Sequence, residues 1–199
     1  MGGGILLGPL VLFAAAMCLT PGPNVVMVTA SAANFGFRRA IPHMLGITLG
    51  FGVVVIAAGL GLAGLLQAEP RLHRLLKYAG AAYLLYLAWR IARADTARSG
   101  STRAKPITFA EAALFQCINP KGWVIALGAL AAFTTGEGEV VSQTAVIASV
   151  LAAACFASVA IWAGFGAAIA RFLGSPRARK VFNWSMAGLL AVSLPPVFW

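Results

Sequence analysis

An apolar run from Ile5 to about Ser31 carries Thr20-Pro21-Gly22-Pro23-Asn24 at its middle. This interruption constrains the fold more than any other stretch of the chain. The run is long enough to cross a bilayer, whose hydrocarbon core of about 30 Å takes about 20 helical residues. Each proline removes a backbone donor and crowds the carbonyl one turn earlier, so the helix must break or kink there. In lipid the freed backbone groups have no water to turn to. They are tolerated only against neighbouring helices or a water-filled cavity. A lone proline would be a packing kink. Two prolines flanking a glycine, with Thr20 and Asn24 supplying short polar side chains, predict a broken helix that lines a cavity.

The remaining sequence is equally suited to lipid. Of its 199 residues 60% are apolar and 10% charged, with a mean hydropathy of +0.87, whereas a soluble domain is about a quarter charged. The chain therefore reads as a single all-α, polytopic membrane domain (1–199) with six spanning segments. These lie at roughly 5–31, 40–66, 75–91, 109–134, 142–170 and 181–198. Ile5 onward is taken as the first span because no basic region or small-residue cleavage site marks a secretory signal. A net charge of +10 raises the question of nucleic acid. The basic residues fall between apolar runs, with no aromatic-interleaved patch to stack bases, so that partner is excluded. Eleven of them lie in the connections on one side and three (Arg71, Arg74, Lys77) on the other. The bias of Lys and Arg toward the cytoplasm then predicts both termini outside.

Pro42 is expected near the start of the second span, where its missing donor costs little. Gly46 and Gly50 make a small-residue face for close helix packing rather than for chemistry. His73 is expected as a plain surface histidine. The polar stretch 92–108 reads as a flexible loop joining two halves, 5–91 and 109–199.

The fourth run is interrupted as well, at Asn119-Pro120-Lys121. With an offset of 99 residues, Cys18-Leu19-Thr20-Pro21 falls on Cys117-Ile118-Asn119-Pro120. Each half has three spans, so the second half enters the membrane in the opposite sense. Two inverted three-helix repeats with broken first helices place a binding site at the repeat interface near the midplane.

Lys121 lies about halfway along the fourth run, and no carboxylate lies in a membrane interior to pair with it. An ionisable residue at that depth is a functional group by default. Its ammonium either gives up its proton or is held by broken-helix carbonyls, by water or by an anionic group on a ligand. Thr20, Asn24, Gln116 and Asn119 offer neutral hydrogen bonds, and the breaks at Pro21, Gly22, Pro23 and Pro120 free main-chain groups. Such a set suits a zwitterion: cationic donors for its carboxylate, carbonyls for its ammonium group.

Thr20 through Asn24 and Asn119 through Lys121 resemble the hallmark motifs of the LysE/RhtB family of amino-acid exporters. Size, span count and the basic central loop agree, so the resemblance covers essentially the whole chain. It implies a secondary transporter in the bacterial inner membrane, exporting an amino acid or related small zwitterion in exchange for protons. It implies no enzyme activity, cofactor or metal, and is compatible with a homo-oligomer. Thr20–Asn24 and Asn119–Lys121 would line the path, and Gln116 is counted with them as a neutral hydrogen-bonding group. Many members carry a polar or acidic residue after the glycine pair of the second helix, where this chain has Phe51-Gly52-Val53, so the resemblance names no proton carrier.

A membrane thiol carrier of the DsbD/CcdA type is the competing class, because Cys18 and Cys117 each precede a proline by three residues. A thiolate at a helix break is chemically reasonable. Those carriers, however, place proline directly before the cysteine, where this chain has Met17 and Gln116. A membrane-embedded enzyme lacks a carboxylate or histidine cluster to act with.

Overall fold

The computed structural model describes residues 5–62, 70–94, 105–135 and 139–193. Among the described residues the chain forms eight α-helices and no strand. The first apolar run becomes α1 (Leu7–Leu19) and α2 (Pro23–Phe35), followed by α3 (Phe37–Gly59) and α4 (Pro70–Ala92). The fourth run becomes α5 (Phe109–Ile118) and α6 (Pro120–Phe133), followed by α7 (Val140–Ile169) and α8 (Pro176–Val192). By length and hydropathy α3 and α7 can each cross a membrane, and α1 with α2 makes a third candidate span bent by 59°. The separate apolar helices α5 and α6 are shorter than a span.

Both interruptions break the helix as the prolines require. Pro23 and Pro120 each stand at the first turn of the following half-helix, where a missing donor costs little. Elsewhere the helices extend further than expected. Arg38 and Arg39 lie in the first turn of α3, Arg71, Arg74 and Lys77 in α4, and Arg177, Arg179 and Lys180 in α8. Lys and Arg are good helix formers whose long side chains reach away from a helix end, so a charged turn does not stop a helix. Pro42 consequently falls inside α3, as the sixth residue of the helix rather than in its first turn. The turn from α2 to α3 is the single residue Gly36, whose φ of 89° is open to glycine at little cost. Gly64, Glu69, Asp95, Arg98, Arg103, Glu137 and Pro195-Pro196, and the His73 side chain, lie outside the described residues.

α3 and α7 pack on each other, α1 and α2 both lie against α7, and α5 and α6 both lie against α3. α4 packs against α8. Gly46 and Gly50 are the contact of α3 with α5. A methyl group at Gly46 would run into the Phe109 carbonyl, and one at Gly50 would stand 2.7 Å from the Ala113 Cα. Larger residues there would overpack by about 1–3 kcal/mol. α3 is apolar all round: Ile47, Val54 and Val55 are buried while Leu45, Leu49 and Val53 are exposed. That pattern belongs to a helix with protein on one side and lipid on the other.

Candidate functional site

The two breaks meet. Between them lies a cleft, walled by Thr20, Gly22, Pro23 and Asn24 on one side and by Asn119 and Lys121 on the other. Residues 99 positions apart in register thus face each other across one space.

The first break leaves Thr20, Pro21 and Gly22 outside any helix. Several of its main-chain groups find partners across the break, as a helix interrupted within an apolar layer requires. Ala16 O accepts from the Thr20 amide at 3.3 Å and from the Thr20 hydroxyl at 2.7 Å. Cys18 O accepts from the Ser158 hydroxyl of α7 at 2.7 Å. Thr20 O and Pro21 O are left for Lys121, whose ammonium donates to both, the latter at 3.5 Å. This arrangement answers the electrostatics of the two half-helices. Lys121 sits in the first turn of α6, at the positive end of that helix, where a cation is disfavoured. Its side chain reaches across to the carbonyl end of α1, where a cation is favoured. Gly22 gives it room, because a Cβ there would stand 2.8 Å from the Lys121 Cδ.

The second break is one residue long. Asn119 is 2% exposed, and its amide donates to Gln116 Oε1 at 3.1 Å. Gln116 is fully buried and pairs reciprocally with Asn24. Asn24 Nδ2 donates to Gln116 Oε1 at 2.9 Å, and Gln116 Nε2 donates to Asn24 Oδ1 at 3.0 Å. The Gln116 amide also reaches Ala112 O at 3.0 Å. One hydrogen-bonded knot therefore joins α2 to α5 beneath the cleft. The Asn119 side-chain oxygen Oδ1 is buried and has no hydrogen-bond partner among the described residues.

Of the nine residues singled out in the sequence, Thr20, Gly22, Pro23, Asn24, Asn119 and Lys121 line the cleft. Pro21 presents its carbonyl to Lys121, Gln116 stands behind Asn24, and Pro120 starts α6. Further cleft residues were not among them, including Phe51 of α3 and Cys155 and Ser158 of α7. Cys155 lies beside Cys18 in the cleft wall, while Cys117 is exposed and does not line it. The symmetric cysteines of the thiol-carrier reading are not brought together.

A second polar cluster lies at the start of α5. Thr108 and Glu111 close a capping box, with Thr108 N donating to Glu111 Oε2 at 2.8 Å and Glu111 N to Thr108 Oγ1 at 3.3 Å. Arg90 of α4 forms an ion pair with Glu111 and donates to Lys105 O at 3.1 Å. The Thr-x-x-Glu spacing at 108–111 is the sequence signal that marks this helix start.

The family model described as LysE type translocator matches residues 15–194. The chain is similar to the cysteine/O-acetylserine efflux protein of Escherichia coli strain K12 and to that of Shigella flexneri. It is 35% identical to each over 135 residues, covering 67% of this chain and 68% of each relative. The protein of the same description from Escherichia coli O6:K15:H31 (strain 536 / UPEC) is 34% identical over the same share. No solved structure matches the chain.

Proposed function

The chain belongs to the LysE-type translocator family of membrane transporters, and on that premise we propose that it exports a small neutral amino acid of the cysteine and O-acetylserine kind in exchange for protons. The observation that carries this reading is the Lys121 ammonium resting on the carbonyls of the opposite broken helix. A zwitterion entering the cleft replaces both halves of that contact. Its carboxylate takes Lys121, and its ammonium takes Thr20 O, Pro21 O and the unpartnered Asn119 Oδ1. Among the described residues Lys121 is the one charged side chain lining the cleft, which favours an uncharged side chain on the substrate.

The same reading places the site between two inverted three-helix repeats, 5–91 and 109–199, with both termini outside. The packing supports it. Exchanging the halves carries the contacts of α1 and α2 with α7 onto those of α5 and α6 with α3, and leaves α3–α7 and α4–α8 unchanged. The ends of α1 and α5, Leu19 and Ile118, keep the 99-residue offset. Reporter fusions after Arg103 and after Glu139 test the topology, and a cytoplasmic Glu139 refutes it.

Proteoliposomes loaded with L-cysteine, O-acetylserine, L-lysine or a dipeptide test the substrate. The expected result is efflux of the first two, accelerated by a pH gradient. Equal efflux of all four would refute a site built for small neutral zwitterions.

A further inference from the structure

His43 of α3 is fully buried, and neither ring nitrogen has a hydrogen-bond partner among the described residues. A buried polar group left without a partner costs about 1–3 kcal/mol, so an imidazole serving only to fill this space would be outdone by an apolar side chain. His43 shares a face of α3 with Gly46, three residues on, and Gly46 lies against Phe109 O and Ala112 at the start of α5. Next to Ala112 in α5 stands Glu111, which is ion-paired with Arg90 of α4. Tyr83 of α4, whose hydroxyl donates to Glu111 O at 3.3 Å, borders the same pair. The other helices packed on α3 add little charge: α2 and α7 carry no charged residue, and α6 only Lys121 at the cleft. Arg38 and Arg39 precede His43 on its own helix.

We propose that His43 is the proton-binding group of the transporter and that its charge sets whether Arg90 holds Glu111. This rests on the proton-exchange reading above. A proton taken from water onto either ring nitrogen creates an imidazolium that attracts the Glu111 carboxylate and repels the Arg90 guanidinium. The ion pair fastening α4 to α5 then loosens, and return of the proton to water restores it. α5 is a ten-residue helix, about 15 Å long. Glu111 lies at its start, while Gln116 and the Asn119 break lie at the cleft. A change of fastening at one end is therefore carried to the other by a short rigid rod. No carboxylate of the cleft is needed for coupling.

The test uses the full chain in proteoliposomes, with reduced L-cysteine as probe and two assays: export driven by a pH gradient, and exchange at equal concentrations without one. His43→Gln keeps a polar side chain of similar reach that cannot take the proton. The expected result is at least a tenfold loss of gradient-driven export, with exchange within twofold of the unaltered protein. Gradient-driven export surviving in His43→Gln would overturn His43 alone. An unaltered protein that ignores the pH gradient would overturn proton exchange itself, and this proposal with it. A second measurement does not depend on the variant folding. Because the chain has two histidines, His73→Gln leaves only His43 visible to ring-nitrogen NMR in nanodiscs. Substrate and proton linkage requires that saturating L-cysteine move the ring's titration midpoint by at least one pH unit. A ring signal indifferent to both pH and L-cysteine would refute the assignment.

Discussion

The two helix breaks occupy matching positions, 99 residues apart, yet they are built in opposite ways. The first opens three residues and turns its carbonyls outward, so it supplies acceptors. The second opens one residue, buries its asparagine in an amide knot, and follows it with a lysine. It supplies the cation and the fixed floor. Two copies of the first break would offer carbonyls with no counter-charge, and two copies of the second would place two ammonium groups together. The zwitterion proposed as substrate needs one of each, and the two breaks together offer that pair.

Removing the cation is the largest perturbation of this comparison. Lys121→Met keeps length and apolar volume, so the protein is expected to fold, since deleting a buried charge outright is often neutral. Export is expected to fall at least a hundredfold in proteoliposomes, whereas the bulkier Lys121→Arg retains binding but turns over more slowly. Export at the unaltered rate by Lys121→Met would make the second break structural. Next comes the floor. Gln116→Leu strips Asn24 and Asn119 of their partner, and each unpaired buried amide costs about 1–3 kcal/mol. A lower unfolding temperature should accompany roughly a tenfold loss of export; full stability would mean that the knot contributes nothing.

Gly22→Ala acts on the first break alone. The added methyl pushes on the Lys121 side chain, so the contact with Thr20 O and Pro21 O loosens while folding is retained. Because substrate no longer competes with those carbonyls for Lys121, apparent affinity should rise by a few-fold. An unchanged affinity would show that the carbonyls do not hold Lys121 back. The smallest effect is expected for Cys117→Ala, whose side chain is exposed and away from the cleft. Export within twofold of the unaltered protein separates a transporter from a thiol carrier, which would lose all activity.

Much of this was legible from local chemistry. Proline geometry located both breaks, because a missing donor acts within its own turn whatever packs nearby. The cost of an ammonium in hydrocarbon singled out Lys121 in the same way. The helix starts of α4 and α8 were misjudged, because charge was read as loop when it only marks where a helix leaves the apolar layer. His43 passed unnoticed for a different reason. A histidine in an apolar stretch carries no sign of whether its ring will find a partner, since that partner comes from another helix.

What the sequence determined by itself was therefore the helical class, the position of the two interruptions and the lone cation between them. These follow from backbone donors, side-chain charge and hydropathy, all properties of a residue and its near neighbours. Tertiary structure alone decided that Lys121 reaches Thr20 O and Pro21 O, that Gln116 binds Asn24, and that Cys18 stands by Cys155 rather than Cys117. It also decided that His43 is fully buried with neither ring nitrogen partnered among the described residues. Each of these contacts joins different helices, and which faces meet is set by small residues such as Gly46 and Gly50 that let two backbones approach. Such an approach is a property of pairs of helices, and no single stretch of chain contains it.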